Sequence, residues 1–146
     1  MLISRQELPF EKRNLLKQSC YDIIGCIQYV HNLLGPAMAE YIYQEALSKV
    51  LRNKGYDVRK EYIHHPLFEG EPLKSGIKMD LVVFRPEGNV IIECKSIYEI
   101  GDKERMQTFG YMCGTRFPLA ILANFGTYPK SEIERYYFEN DVISAF

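Results

Sequence analysis

The chain has 146 residues, of which 47% are hydrophobic and 25% are charged, and this composition predicts a single soluble globular domain with a sizeable core. The formal net charge of −1 excludes a strong overall field, so nucleic-acid binding would depend on a local patch or on bound cations. Four cysteines without zinc-site spacing favour reduced thiols in a cytoplasmic protein, and the sequence predicts neither a signal peptide nor a membrane-spanning segment.

The N-terminal half is predicted to contain two helices after a loose arm or extra turn at residues 1–10. Apolar side chains recur every three or four residues from about Glu11 to Leu34, which predicts the first helix. Gly35-Pro36 separates it from a second helix, predicted from Pro36 to Lys54. Glu40 lies near the start of this helix, where the dipole favours a carboxylate, so a structural role explains Glu40 taken alone.

Three strands are predicted next. Tyr56 to Phe68 alternates in its first half and reaches a proline near its end, which is typical of an edge strand. Met79 to Phe84 and Val90 to Lys95 are apolar runs joined by Arg85-Pro86-Glu87-Gly88-Asn89, whose composition predicts a hairpin connection. The two apolar runs should therefore form the middle of the sheet.

The C-terminal part is predicted to hold a helix from Tyr98 to Arg116, beginning near residues 100–103, and a compact strand from Phe117 to Asn124. A last helix or irregular segment is predicted from about Ser131 to Asn140. A helix between two strands implies a right-handed crossover that joins parallel strands. The expected fold is therefore α/β, with a mixed central sheet flanked by helices.

The predicted hairpin carries three charged side chains that can meet. Glu93 and Lys95 point to the same face because side chains alternate along a strand, whereas Cys94 points to the other. Antiparallel pairing around the turn would bring Asp80 close to Glu93. Charges on a buried strand are costly unless they are paired or bind a metal. An ion pair at a strand end and a functional site both explain this pattern.

These residues resemble the Asp…Glu-x-Lys core of the PD-(D/E)XK nuclease superfamily, with Asp80 and Glu93-Cys94-Lys95 at the matching positions. Met79 stands where the superfamily's name has proline. The predicted order of helix, three strands, helix and strand is similar to the superfamily's restriction-endonuclease-like αβββαβ core. The resemblance covers roughly residues 28–140 and implies a single nuclease-like domain, 1–146, with an N-terminal helical extension.

A closer resemblance is to the GxxExxY proteins of this superfamily. Glu40 and Tyr43 match the named glutamate and tyrosine, although Ala37 stands at the motif's glycine. Further positions that resemble the family are Gln107, Tyr111 and Asn124-Phe125-Gly126.

The resemblance implies a centre for Mg²⁺ or Mn²⁺, which prefer oxygen ligands. Asp80 and Glu93 would bind the ion, joined by the main-chain carbonyl of Cys94. Lys95 would orient or activate the attacking water and offset developing charge. Two further catalytic candidates keep open roles: Glu40 as a direct or water-mediated ligand or as support for a second metal, and Gln107 as a positioning group.

The expected function is a metal-dependent nuclease, with DNA favoured over RNA as substrate and with a homodimer admitted as an assembly. A second hypothesis is a catalytically silent member of the fold that binds nucleic acid or a protein partner, because one fold hosts many functions. A third is a small scaffold protein in which residues 76–96 form only an ion-paired hairpin.

Overall fold

A computed structural model describes the backbone of residues 2–4 and all of residues 8–146. The helices are α1 (Phe10–Leu34), α2 (Glu40–Asn53) and α3 (Asp102–Thr115). The strands in chain order are β1 (Leu2–Ser4), β2 (Asp57–His64), β3 (Leu67–Phe68), β4 (Glu71–Pro72), β5 (Ile77–Phe84), β6 (Val90–Lys95), β7 (Leu119–Asn124), β8 (Glu132–Glu139) and β9 (Val142–Ala145).

One mixed sheet has the strand order β1-β9-β8-β7-β6-β5-β2, and β3 and β4 form a separate small hairpin. The β5–β6 hairpin is antiparallel, whereas β6 and β7 run parallel because α3 carries the chain back between them. The predicted hairpin, the crossover and the mixed sheet flanked by helices are therefore confirmed.

Helices cover both faces of the sheet and divide the core in two. One cluster joins α1 and α2 to the sheet and includes Ile92 and Cys94 of β6. The other lies under α3 and includes Ile91 of the same strand. Strand alternation therefore turns Glu93 toward the α3 side and buries the thiol of Cys94 on the opposite side. All four cysteines are free.

The C-terminal prediction was wrong. The segment 131–140, expected to be a helix or irregular, forms β8, and β9 follows it as a further strand. Along β8, Ile133 and Tyr137 pack against one core, whereas Tyr136 and Phe138 are buried in the other. Because both faces of the strand carry aromatic or aliphatic groups, the sequence lacks the simple alternation of a half-buried strand.

Helix α2 begins at Glu40, four residues later than predicted, and ends at Asn53. The side chain of Tyr43 explains the late start: its hydroxyl accepts a hydrogen bond from the Met38 N–H at 3.1 Å and donates one to the Gly35 carbonyl. Gly35 itself has a φ of +75°, which favours glycine and ends α1 as predicted. Residues 35–39 are thus held as a shaped loop.

Two other segments differ from expectation. Leu2–Ser4, predicted as part of a loose arm, pairs in parallel with β9, whereas residues 1 and 5–7 lie outside the described residues. The strand predicted to reach Phe68 ends at His64, and Pro66, which has no N–H to donate, precedes the separate hairpin. In the described part of the chain, no helix is long and apolar enough to cross a membrane.

Candidate active site

The carboxylates of Asp80 and Glu93 meet where β5 and β6 stop pairing. The ladder between these strands runs from Val83↔Val90 to Leu81↔Ile92. Beyond it, the Asp80 N–H donates to Oε1 of Glu93 at 3.0 Å, and the Cys94 N–H donates to Oδ2 of Asp80 at 2.9 Å. Side-chain oxygens thus take the place of ladder carbonyls, and the convergence expected of this pair is observed.

Burial makes this pair electrostatically expensive. Glu93 is only 2% exposed and Asp80 is half-buried. Burial, followed by the charge of Asp80, raises the pKa of Glu93 to about 8. Burial also raises the pKa of Asp80, and the Cys94 N–H and the charge of Lys95 offset that rise only in part. The pair therefore resists double ionisation at neutral pH.

Lys95 shares the face of Glu93 but is held from α3. Its Nζ donates to Oε1 of Gln107 at 2.7 Å. The ammonium still lowers the pKa of both Asp80 and Glu93 through space. Lys95 and Gln107 thus lie together beside the carboxylates, which places four of the five candidate side chains at one edge of the sheet.

Glu40 approaches the same edge from the other side of the sheet. It is the first residue of α2, and the preceding loop touches the end of β6, where the Ser96 hydroxyl donates to the Met38 carbonyl at 2.8 Å. The charge of Glu40 contributes to raising the pKa of the buried Cys94 thiol. Within residues 8–146, however, no three His, Cys, Asp or Glu side chains converge as a metal site. Direct ligation by Glu40 together with the pair is therefore not seen.

The side-chain amide of Asn124 joins the backbone segments that follow β6 and β7, which together form a rim beside the site. Asn124 Oδ1 accepts from the N–H groups of Ile97 and Gly126, each at 3.0 Å, and its Nδ2 donates to the Ile97 carbonyl at 3.0 Å and to Glu132 at 3.1 Å. A Cβ atom on Gly126 would collide with the Ile97 carbonyl oxygen and lie 2.5 Å from the Ile97 nitrogen. Only glycine lets these two backbone segments approach so closely.

With this geometry established, comparison with known proteins assigns the family. A family model described as the PD-(D/E)XK nuclease superfamily matches residues 17–136. The chain belongs to the PD-(D/E)XK nuclease superfamily. The matched range includes Asp80, Glu93 and Lys95, whereas their catalytic assignment and the closer assignment to GxxExxY proteins stay predictions.

A solved structure supports the same fold. The protein of the crystal structure of SSO0001 superposes with a TM-score of 0.51 at 13% sequence identity, covering 87% of this chain and 77% of that chain. At this identity the likeness concerns the fold alone. No curated protein sequence matches the chain.

Tyr43, the tyrosine expected from the GxxExxY motif, has a structural role in this protein. Besides holding the loop at 35–39, the Tyr43 ring stacks on Phe125, with ring centroids 4.5 Å apart and planes 8° apart. Phe125 follows β7 and lies beside the Asn124 network. Tyr43 thus braces the helix that carries Glu40 against the rim of the site.

Sequence reasoning did not anticipate Glu61. It lies between the register pairs Lys60↔Leu81 and Tyr62↔Met79, opposite Asp80, and has a φ of +52°. Its charge contributes to raising the pKa of Asp80. Glutamate gives no sequence signal for positive φ, so this irregularity beside the site could not be found from residue type.

Tyr111, by contrast, is one of the positions that resemble the GxxExxY proteins. It lies one turn beyond Gln107 on α3 and is half-buried. Burial, followed by the charges of Glu93 and Asp80, raises its pKa, which places the phenol within electrostatic reach of the pair. Tyr111 and Gln107 therefore present the same flank of α3 to the site.

Proposed function

We propose that the protein is a metal-dependent nuclease that hydrolyses phosphodiester bonds in DNA, with RNA as the less favoured substrate. The observation that carries this proposal is the meeting of Asp80, Glu93 and Lys95 at one sheet edge, in the pattern of a nuclease superfamily. Gln107 adds a fixed partner for Lys95.

The donor set fits a hard divalent cation. Burial raises the pKa of both carboxylates, and the charge of Asp80 raises that of Glu93 further, so a cation such as Mg²⁺ or Mn²⁺ would offset negative charge that the site disfavours. Asp80, Glu93 and the main-chain carbonyl of Cys94 would hold the ion. The Cys94 thiol is buried in the core under α1 and α2, so it is not a ligand. When bound, the ion would supply Lewis acidity toward a phosphate oxygen.

The remaining side chains would position the reactants. Lys95 can orient a water molecule and offset negative charge that develops on the phosphate, because an ammonium has three donors and a full positive charge. Its hydrogen bond to Gln107 fixes where that charge lies. Glu40, on the first turn of α2, would act through water or support a second ion.

The proposal is tested by incubating the protein with single- and double-stranded DNA and RNA in the presence of Mg²⁺ or Mn²⁺. Cleavage should require the ion and should disappear in Asp80→Ala and Glu93→Ala. Asp102→Ala is the matched control, since that exposed carboxylate lies on α3 outside the candidate site. Equal cleavage by the parent protein and Asp80→Ala would mean that a contaminant or another site cuts.

A catalytically silent module is the second candidate function. Two observations favour it: only two carboxylates converge in residues 8–146, and the chain has a net charge of −1, which gives little general attraction for nucleic acid. Calorimetric titration combined with the cleavage panel separates the candidates, because the nuclease must both bind a divalent ion and cleave. Absence of cleavage of every panel member, with or without metal binding, would favour the module.

A homodimer and a cytoplasmic location remain predictions. Light scattering coupled to size-exclusion chromatography would test the first, and cell fractionation the second.

A further inference from the structure

Aromatic rings with almost no protein contact lie at the candidate active site's edge of the sheet. Tyr98 is 92% exposed and Tyr128 is 82% exposed. A tyrosine ring has a large apolar surface, and burying such surface on folding or binding is favourable. Two rings left this open in short loops beside one site are therefore candidates for contact with a ligand.

Strand direction places both rings at that edge. Tyr98 follows the end of β6 by three residues, and Tyr128 follows the end of β7 by four. Because β6 and β7 are parallel neighbours, their ends share one edge of the sheet, where Lys95 also lies. The Asn124 amide ties Ile97, next to Tyr98, to Gly126, two residues before Tyr128. The two loops therefore form one continuous rim.

The charges on this rim do not favour a contact based mainly on phosphates. The two loops, residues 95–104 and 125–132, contain three cations, Lys95, Lys103 and Lys130, and four carboxylates, Glu99, Asp102, Glu104 and Glu132. Duplex binders neutralise many phosphates with lysine and arginine, whereas single-strand binders gain much of their affinity from bases stacked on aromatic rings. Bases paired inside a duplex do not offer their faces to such rings.

We infer that Tyr98 and Tyr128 form a stacking platform for unpaired bases, which makes single-stranded nucleic acid the ligand class of this edge. The inference rests on the proposed function for the role of the neighbouring carboxylates, but stacking requires neither a metal ion nor cleavage. Both DNA and RNA single strands present the stacking faces that the rings would bind.

The absence of tryptophan from the chain allows a direct test. Tyr98→Trp and Tyr128→Trp each introduce one tryptophan, whose emission is measured during titration with oligothymidine, oligouridine or a duplex of equal length. A chelator is present throughout, so cleavage does not contribute. Tyr21→Trp is the matched control, because Tyr21 is 79% exposed on α1, far along the chain from the platform.

Single strands should quench the emission of Trp at positions 98 and 128 but not at position 21. Tyr98→Ala and Tyr128→Ala should each weaken binding by roughly five-fold to one hundred-fold, as expected for the loss of one stacked base, and Tyr21→Ala should not. The duplex should bind more weakly than either strand, and the salt dependence should be shallow.

Absence of quenching at both platform positions, or tighter binding of the duplex with unchanged affinity in the alanine variants, would overturn the inference. Stacking without any metal-dependent cleavage would leave the platform in place and count against the nuclease. Cleavage without stacking would support the nuclease and count against the platform.

Discussion

Two acidic sites lie within reach of α3, and their partners differ. Glu134 of β8 is held by Arg105 through two hydrogen bonds of 2.8 Å and also accepts one from the Tyr136 hydroxyl. Burial raises the pKa of Glu134, but the bonds from Arg105 and Tyr136 more than offset it, so the pKa lies below its ordinary value. Asp80 and Glu93 receive main-chain N–H groups instead, and their pKa values are raised.

The comparison between Glu134 and the pair shows how a buried carboxylate can be stabilised as an ion. The guanidinium of Arg105 donates two hydrogen bonds to Glu134 and neutralises its charge, which is typical of a structural ion pair. The nearest candidate cation for the pair, Lys95, bonds to Gln107 instead. A buried carboxylate pair without a bonded cation is a candidate functional site, which agrees with the proposed metal centre.

The largest effect that would sharpen this comparison is on catalysis. Lys95→Ala should lower cleavage by about 10²–10⁴-fold, the range found when a positioned catalytic group is removed. Metal binding should persist, because an ammonium is not a ligand. Lys103→Ala, which removes an exposed lysine of α3, is the control. The variants are compared by initial cleavage rates and by metal titration, and equal rates in Lys95→Ala and the parent would remove Lys95 from the mechanism.

The second effect is on stability without metal. The pKa of Glu93 rises from 4.5 to about 8 on folding, so between these pH values the folded chain binds more protons than the unfolded chain. The free energy of unfolding should therefore fall as pH rises through this window, by at most about 5 kcal/mol. Glu93→Gln should flatten the fall, as measured by denaturation in the presence of a chelator.

Glu134→Gln serves as the opposite case. The pKa of Glu134 is lower in the folded than in the unfolded protein, so its contribution to stability is complete above the ordinary pKa and is lost as the pH falls through the folded value. Glu134→Gln should therefore keep the fall in the free energy of unfolding that the parent shows above pH 5. A slope in Glu93→Gln identical to that of the parent would assign the pH dependence to other groups.

The third effect is stabilisation by metal. A divalent ion that binds only the folded site should stabilise it by about 2.7 kcal/mol at one hundred times its Kd. The melting temperature should then rise by roughly 5–15 °C in a saturable way. Asp80→Asn should abolish this rise and itself raise the stability of the metal-free protein, since it removes a repelling charge. Asp102→Asn should respond as the parent does. Thermal melts with and without Mn²⁺ distinguish these results, and an equal rise in Asp80→Asn would place the ion elsewhere.

The smallest expected effect is on stability at Glu134, whose charge is neutralised by Arg105. Arg105→Ala leaves Glu134 half-buried without its guanidinium and should lower the free energy of unfolding by about 1–3 kcal/mol. The rise in melting temperature with metal should stay unchanged, because the two sites have separate partners. Urea denaturation measures the loss. A reduced metal response in Arg105→Ala would show that the two acidic sites are coupled.

Much of the fold could be predicted because local patterns were strong. Apolar runs on either side of a proline and glycine turn predicted β5 and β6, and their alternation brought Asp80, Glu93 and Lys95 to one place. The helix after β6 predicted the parallel partner β7. These features depend on short-range spacing, which a sequence displays directly.

The remainder depends on tertiary contacts. Aromatic groups on both faces of β8 concealed its strand period, and the Tyr43 hydroxyl delays α2 to Glu40 through contacts across a loop. The backbone of Glu61 takes a positive φ that its residue type does not favour. That Glu40 does not converge with the carboxylate pair as a third ligand likewise follows from how α2 packs, which spacing along the chain does not reveal.

Tyr43 has a consequence for how proteins of this kind are sorted. Its hydroxyl and ring connect the loop at 35–38 to Phe125, so Tyr43 holds this loop and the start of α2 in place without bonding to Asp80 or Glu93. A search keyed on the tyrosine and on Asn124-Phe125-Gly126 therefore selects for architecture. A relative without the proposed catalytic groups could keep these packing residues, so the proposed activity is better judged from the two carboxylates and the lysine.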